Sequence, residues 1–136
     1  FYVLVKTGFG ASLRTFGCNK KRLNTDNFAD IEARLDGVVI ENKDFEDLIK
    51  VYDREKALFY CDPPYHKTER HYTVKFTEDD HERLCRVLHQ IKGRFVLSYN
   101  DDKYVRDLYK DYNIQAVTRN NSLSSGDFKE VIITNF

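Results

Sequence analysis

The residues with the clearest chemical potential are two adjacent prolines between an acid and an aromatic residue, Asp62-Pro63-Pro64-Tyr65. This Asp-Pro-Pro-Tyr motif directly follows the apolar run of residues 58–61, which predicts a buried strand. Adjacent prolines cannot continue a sheet ladder, so the strand must end in a stiff turn. The motif is therefore expected at the carboxyl end of a strand, where open α/β sheets bind their ligands.

These residue types suit chemistry on an exocyclic amino nitrogen, which is a poor nucleophile because its lone pair is delocalised into the ring. The Asp62 carboxylate and the Pro63 carbonyl can accept hydrogen bonds from its N–H groups and favour a more tetrahedral nitrogen. The sulfonium of S-adenosylmethionine can then deliver a methyl group in line, with catalysis by positioning and electrostatics. Tyr65 can stack on a base taken out of the duplex. The alternative interpretation is a strand-ending turn without chemistry.

The helices that must position this motif are predicted by apolar periodicity. Three segments match the i, i+3, i+4, i+7 template, at residues 45–52, 84–91 and 105–112. Thr77 is the expected N-cap of the second helix, and Asp101 or Asp102 that of the third. A weaker helix around residues 28–35 should end at Gly37.

Short apolar runs rich in β-forming residues predict strands covered on both faces, at residues 37–40, 57–61, 94–99, 114–118 and 130–134. Strand and helix alternate from Gly37 to Tyr112, which indicates a mostly parallel α/β sheet. No helix separates the last two runs, so they should form an antiparallel hairpin. Residues 1–26 fit neither template and indicate an irregular segment or a small separate lobe.

Charge is distributed unevenly in this chain of 136 residues, which is one domain at most and has a net charge of zero. Residues 1–25 hold no acid but five bases, Lys6, Arg14, Lys20, Lys21 and Arg22. Glycine and phenylalanine interleave with these bases, a pattern that suits contact with a phosphate backbone. The alternative is a solvated basic loop.

Several classes of protein are disfavoured by composition. No apolar run approaches the ~18 residues that a membrane helix needs, and no signal-peptide pattern opens the chain. The three cysteines and four histidines lack metal-type spacing, so we expect no metal and reduced thiols in a cytoplasmic protein. We expect His66 and His71 in a mobile loop beside the motif. Ser98 either lines a base pocket or caps the next helix.

Residues 58–65 resemble the DPPY motif of amino-methyltransferases, and the wider chain resembles the Dam-like, D12-class DNA adenine methylases. Residues 130–136 are similar to the closing strand of that family, and residues 122–125 to the loop before it. Residues 7–17 resemble the start of its target-recognition region. The resemblance implies a Rossmann-like methyltransferase fold, with residues 1–36 in the DNA-binding region and residues 37–136 in the catalytic domain.

The resemblance also implies roles for single residues. Methyl transfer from S-adenosylmethionine to adenine N6 in double-stranded DNA would use the catalytic residues Asp62, Pro63, Pro64 and Tyr65. Asp44-Phe45 resembles the Asp-Phe step that holds the adenine of the cofactor, and Asp62 would lie near its methionine part. Asp44 also suits a helix N-cap, and both roles can coexist. The candidate DNA contacts are the five bases above together with Asn120, Asn121 and Ser122.

Two departures from the family pattern affect these expectations. The Phe-x-Gly-x-Gly cofactor loop is absent, as are the strand before it and an N-terminal helix, and residue 1 is not Met. We therefore expect an N-terminally truncated chain that by itself is inactive and binds no cofactor. The recognition segment also lacks the pattern of the best-known GATC-methylating members, so the target sequence stays open.

The family's strand order, 3-2-1-4-5-7-6, makes residues 37–40 its third strand and residues 57–61 its fourth. Because the strands between them belong to the missing front, three outcomes are open: residues 37–40 pair with residues 57–61, a second copy of the chain does so, or the segment before the motif is disordered. We favour the first two, because residues 38–40 otherwise lose their burial.

Other functions remain open at this point. The main alternative is a non-enzymatic remnant that keeps the fold. A third interpretation keeps the chemistry and changes the acceptor to cytosine N4, RNA adenine or a protein glutamine amide. The enzymes that methylate glutamine typically have Asn at the position of Asp62, which counts against that acceptor.

Overall fold

The computed structural model describes residues 28–68, 75–120 and 127–136. The chain divides into two compact units, residues 1–41 and residues 42–136. The assignment of residues 1–36 to DNA binding and of residues 37–136 to catalysis stays a prediction.

Helix α1, Phe28–Leu35, is the described element of the first unit. It ends as predicted at Gly37. The φ of Gly37 is +75°, in the left-handed region that residues other than glycine disfavour. The prediction of a strand at residues 37–40 is wrong, since these residues form none and Ile40 is 80% exposed. Three β-branched residues in a row favour a strand only where a neighbouring strand supplies hydrogen bonds and packing.

The second unit alternates helices and strands, in the order α2 Phe45–Tyr52, β1 Leu58–Cys61, α3 Glu78–Gln90, β2 Arg94–Asn100, α4 Lys103–Leu108, β3 Asn113–Asn120 and β4 Asp127–Thr134. The predicted cap at Thr77 is confirmed, and it forms a reciprocal capping box with Asp80. Asp102 caps α4. This helix ends at Leu108, earlier than predicted, because the chain turns there into β3.

The four strands form one sheet in the order β1-β2-β4-β3, in which β1 and β2 are parallel and the other pairs are antiparallel. The predicted α/β fold is thereby confirmed, including the closing hairpin and the order implied for the last four strands. Strand β1 lies at an edge, and Leu58 and Tyr60 are 62% and 70% exposed, so the expectation that both faces of β1 are covered is wrong. Because residues 37–40 form no strand, the expectation that they pair as a strand with residues 57–61 is wrong. Pairing with a second copy stays a prediction.

The core lies on one face of the sheet. Its strand residues are Phe95, Leu97, Tyr99, Val131 and Ile133, which are 0% exposed. Helices α2, α3 and α4 contribute Ile49, Leu84, Val87, Leu88 and Val105 to the same cluster, and Tyr109 joins it directly after α4. Each large apolar side chain buried in this way stabilises the fold by roughly 1.5–3 kcal/mol. The opposite face of β2 and β4 carries the polar residues that reach the motif.

A short turn fixes the start of β2. A Cβ atom on Gly93 would lie 2.8 Å from the backbone oxygen of Ala57, so this close approach requires glycine. The Asp53 carboxylate accepts hydrogen bonds from the backbone N–H groups of Lys92 and Gly93. Asn135 accepts from the N–H of Phe95 and donates to the oxygen of Gly93. These contacts fix the start of β2 beside the start of β1. They thereby set how the two strands are aligned at their carboxyl ends.

No helix in the described ranges is long and apolar enough to cross a membrane. Across residues 28–68, 75–120 and 127–136, no group of three or more histidine, cysteine or acidic side chains could hold a metal ion. Cys61 and Cys85 are free thiols, and burial raises the pKa of each to about 11. Both cysteines are therefore protonated and unreactive near neutral pH.

Candidate active site

The motif begins at the carboxyl end of β1. Asp62 follows Cys61, the last residue of the strand, and the prolines end the ladder as predicted. Asp62 is exposed, whereas Pro63, Pro64 and Tyr65 are half-buried. The neighbouring parallel strand, β2, brings its own carboxyl end to the same edge of the sheet.

Ser98 connects β2 to the motif. Strand alternation turns its side chain away from the core residues Leu97 and Tyr99. Its hydroxyl donates a hydrogen bond to Asp62 Oδ1 at 2.8 Å, and Ser98 is only 4% exposed. Ser98 does not cap the next helix, since Asp102 does. One oxygen of the Asp62 carboxylate is thus oriented by the sheet itself.

Tyr65 is held by an acid that the sequence analysis did not single out. The Tyr65 hydroxyl donates to Glu130 Oε1 at 3.2 Å, and the centroids of the Tyr65 and Tyr99 rings are 6.0 Å apart. Burial, together with the nearby carboxylates of Glu130 and Asp62, raises the pKa of Tyr65 to about 12. The hydroxyl therefore remains a donor at neutral pH. The sequence did carry a signal for Glu130. It is an acid within a strand, and strand alternation points its side chain to the face opposite that of Val131 and Ile133.

The residues after the motif are anchored to α4. His66 is buried, contrary to the expectation of a mobile loop, and its Nδ1 lies 3.1 Å from Asp102 Oδ1. Its ring stacks on that of Tyr104 at 4.4 Å between centroids. Lys67 pairs with the other oxygen of Asp102, and this contact is the main reason that the pKa of Asp102 is lowered. His71 lies outside the described residues.

A cavity of about 470 Å³ opens beside the motif. It is lined by Lys43, Phe45, Leu48, Ile49, Leu58, Phe59, Tyr60, Cys61, Asp62, Pro63, Pro64, Phe76 and Leu84. Its volume is in the range typical of small-molecule sites, and its lining is mostly apolar with a few polar groups. The structure thus brings two of the predicted cofactor residues, Phe45 and Asp62, to one cavity.

Asp44 does not line this cavity but lies beside it, bound to Arg83. Its carboxylate caps α2 by accepting from the N–H of Glu46, which confirms the N-cap interpretation. Arg83 donates to both oxygens of Asp44, at 2.7 and 3.0 Å, and its guanidinium lies 4.1 Å from the centroid of the Phe45 ring. Arg83 also pairs with Asp80. The bonds from Arg83 lower the pKa of Asp44, which is therefore ionised at neutral pH. Its role toward a cofactor stays a prediction.

The candidate DNA contacts fall almost entirely outside the described residues: Lys6, Arg14, Lys20, Lys21, Arg22, Asn121 and Ser122. Asn120 is the last residue of β3. Their roles stay predictions.

The fold and the site together define the class of protein. The cavity runs along β1 and reaches the motif at the carboxyl end of this strand, and the carboxyl ends of parallel strands are the usual position of a ligand site in an α/β sheet. The model of the family described as D12 class N6 adenine-specific DNA methyltransferase matches residues 7–123. The match covers most of the chain, which therefore belongs to this family, and the resemblance seen in the sequence is confirmed. Asp44, Asp62 and Ser98 lie inside the matched segment, and Glu130 lies beyond it.

Proposed function

We propose that this protein transfers a methyl group from S-adenosylmethionine to N6 of an adenine turned out of double-stranded DNA, at a specific site. The observation that carries the proposal is the Asp-Pro-Pro-Tyr motif at the carboxyl end of β1, directly beside a cavity of about 470 Å³. Membership of the D12 class supports the adenine amino group as the acceptor.

The residues around the cavity fit an adenosyl group. Phe45 offers an aromatic ring in an apolar lining, and the neighbouring carboxylate of Asp44 is an ionised acceptor suited to an amino group. The carboxyl group of Asp62 lines the same cavity. When bound, S-adenosylmethionine supplies an electrophilic methyl group on a positively charged sulfur atom.

The motif provides the groups that would activate the adenine. A carboxylate has about four acceptor positions, and Ser98 uses one of those of Asp62. A second acceptor, the Pro63 carbonyl, follows in the stiff proline turn. Together they favour a nitrogen whose lone pair is localised toward the methyl donor, while Tyr65 stacks on the base. Catalysis by positioning needs no covalent intermediate.

Product analysis with the full-length protein tests this proposal. Duplex DNA is incubated with S-adenosylmethionine carrying a deuterated methyl group, digested to nucleosides and analysed by mass spectrometry. We expect label in N6-methyladenine. Label in N4-methylcytosine would contradict the acceptor, and an RNA duplex serves as the control for substrate class. If no nucleoside is labelled and calorimetry detects no binding of S-adenosylmethionine, the protein is a non-enzymatic remnant instead.

A further inference from the structure

Three polar side chains lie together on the face of the sheet opposite the core. Ser98 and Asn100 are two residues apart in β2 and so point to the same face. Glu130 of β4 is directly opposite Asn100 in the antiparallel register, which places it on that face as well. Ser98, Asn100 and Glu130 are called the clamp residues below.

Each clamp residue binds a different point of the catalytic segment. Ser98 donates to Asp62 Oδ1 at 2.8 Å, at the start of the motif. Glu130 accepts from the Tyr65 hydroxyl at 3.2 Å, at its end. Asn100 Nδ2 donates to the backbone oxygen of His66 at 3.2 Å, one residue further on. The motif is thereby fixed at both ends by two strands that are themselves paired along five residue positions.

Two of these side chains are in positions where stability alone favours apolar groups. Ser98 and Glu130 are 4% and 7% exposed. A buried hydroxyl or carboxylate loses hydration, which its new hydrogen bonds only partly offset. Ile132 shows that the same face of β4 accepts an apolar side chain, since it lies opposite Ser98. Polar side chains at positions 98 and 130 are explained if they hold Asp62 and Tyr65 in position.

We propose, on the basis of the proposed function, that Ser98, Asn100 and Glu130 are positioning residues for methyl transfer. They hold the Asp62 carboxylate and the Tyr65 ring in their working orientation before DNA and cofactor bind. Groups that are oriented in advance need no reorganisation in the transition state, so the effect falls on kcat. The KM for S-adenosylmethionine should change little when Glu130 or Asn100 is replaced, because neither lines the cavity, whereas Ser98 can also affect it through Asp62, which does.

A double-mutant cycle between Tyr65 and Glu130 tests this inference in the full-length protein. Glu130→Ala and Tyr65→Phe remove the same hydrogen bond from its two ends. Each should lower kcat about fivefold to tenfold and leave the KM for S-adenosylmethionine unchanged. The double variant should be no slower than either single variant. Glu130→Gln keeps an acceptor and should recover most of the activity. Ser98→Ala should lower kcat similarly, through Asp62, and Ser98→Thr should restore it.

The matched control is Thr134→Ala, because Thr134 lies on the same strand and face as Glu130 but pairs with Val96, away from the motif. It should lower the melting temperature at most, without a specific loss of kcat. A readout besides activity is the titration of Tyr65, followed by NMR with ring-labelled tyrosine. Glu130→Ala should lower the pKa of Tyr65 from about 12, and Thr134→Ala should not.

The outcomes separate this inference from the proposed function. An inactive wild-type protein overturns both. An active wild-type protein whose Tyr65→Phe variant keeps its full kcat, or whose cycle is additive, overturns the positioning role alone. If Glu130→Ala does not fold, Tyr65→Phe and Ser98→Ala still decide the question, because each removes one hydroxyl group and leaves the buried Glu130 carboxylate in place.

Discussion

At the scale of single residues, the orientation of Asp62 is the feature on which the proposed chemistry depends. Its carboxylate is exposed at the end of β1, yet one oxygen is fixed by Ser98. An exposed acid contributes little to the stability of the fold, so its loss should lower the rate of methyl transfer and leave the stability unchanged.

Asp62→Ala should abolish methyl transfer and leave the fold intact. The loss of such an acceptor is worth about 3–4 kcal/mol, which is a few hundred-fold or more in rate. Single-turnover methylation gives the rate, and thermal unfolding gives the stability. Asp79→Ala, an exposed acid on α3, is the matched control and should behave as the wild type. A variant at position 62 that retains more than about a tenth of the rate would exclude this role.

Substitutions of Tyr65 separate its ring from its hydroxyl. Tyr65→Phe and Tyr65→Trp both lose the hydrogen bond to Glu130, which costs about 1 kcal/mol or somewhat more, and both keep a ring that can stack. Tyr65→Ala loses both the hydroxyl and the ring. Its methyl transfer should be slower than that of the phenylalanine variant by a factor that corresponds to about 1–3 kcal/mol. Rates of methyl transfer under saturating cofactor report these differences. Equal rates for the phenylalanine and alanine variants would rule out stacking.

At the scale of elements, Arg83 connects the start of α2 to α3. It bonds Asp44 and Asp80 and covers the Phe45 ring, so a single guanidinium holds the cap of one helix against the side of another. Both carboxylates have lowered pKa values, for Asp44 mainly through Arg83 and for Asp80 mainly through the backbone N–H of Thr77.

The stability of the fold should therefore depend on pH on the acid side. Carboxyls whose folded pKa is depressed stabilise the fold fully above their unfolded pKa of about 3.9 and lose that contribution as the pH falls through the folded value. The free energy of unfolding of Arg83→Gln should therefore fall less than that of the wild type between about pH 4 and pH 2. At neutral pH it should cost only about 1 kcal/mol or less, because the Asp44 side chain is 44% exposed and solvent screens the pair.

Urea unfolding at several pH values measures this effect. Arg86→Gln is the matched control, since Arg86 lies on the same helix and its ion pairs with described residues are long surface pairs, at 3.6 and 3.7 Å. Identical acid profiles for both variants would show that Arg83 does not support Asp44.

At the scale of the whole molecule, a net charge of zero conceals two regions of opposite character. Residues 1–25 are basic without a single acid, whereas residues 26–56 hold ten acids and five bases. A basic segment in a DNA methyltransferase family chain suits the phosphate backbone, whose neutralisation releases counterions.

Neutralising Arg14, Lys20, Lys21 and Arg22 to Gln should weaken DNA binding and flatten its dependence on salt. Each lost phosphate contact lowers the slope of log K against log salt by about 0.9. Fluorescence anisotropy between about 50 and 200 mM salt measures it. Four exposed lysines of the second unit, Lys56, Lys92, Lys103 and Lys110, form a control set of equal charge. An unchanged slope would exclude the basic segment from phosphate contact.

The sequence by itself determined the features that depend on near neighbours in the chain. The prolines end β1, Thr77 and Asp102 cap their helices, Gly37 ends α1, and the last two strands form a hairpin. Each of these signals acts over a few residues, where backbone sterics and short hydrogen bonds dominate. The family also followed from local sequence, since the motif resembles that of amino-methyltransferases and the wider chain resembles the D12 class.

Tertiary structure alone decided which distant side chains meet. Tyr65 and Glu130 are 65 positions apart, Asp62 and Ser98 are 36 apart, and both pairs depend on the register between strands. Residues 37–40 have the composition of a strand but form none. The physical reason is common to these cases. A strand forms, and a buried polar side chain is hydrogen-bonded, only when a partner from elsewhere in the chain lies within hydrogen-bonding distance. No local sequence pattern specifies that partner.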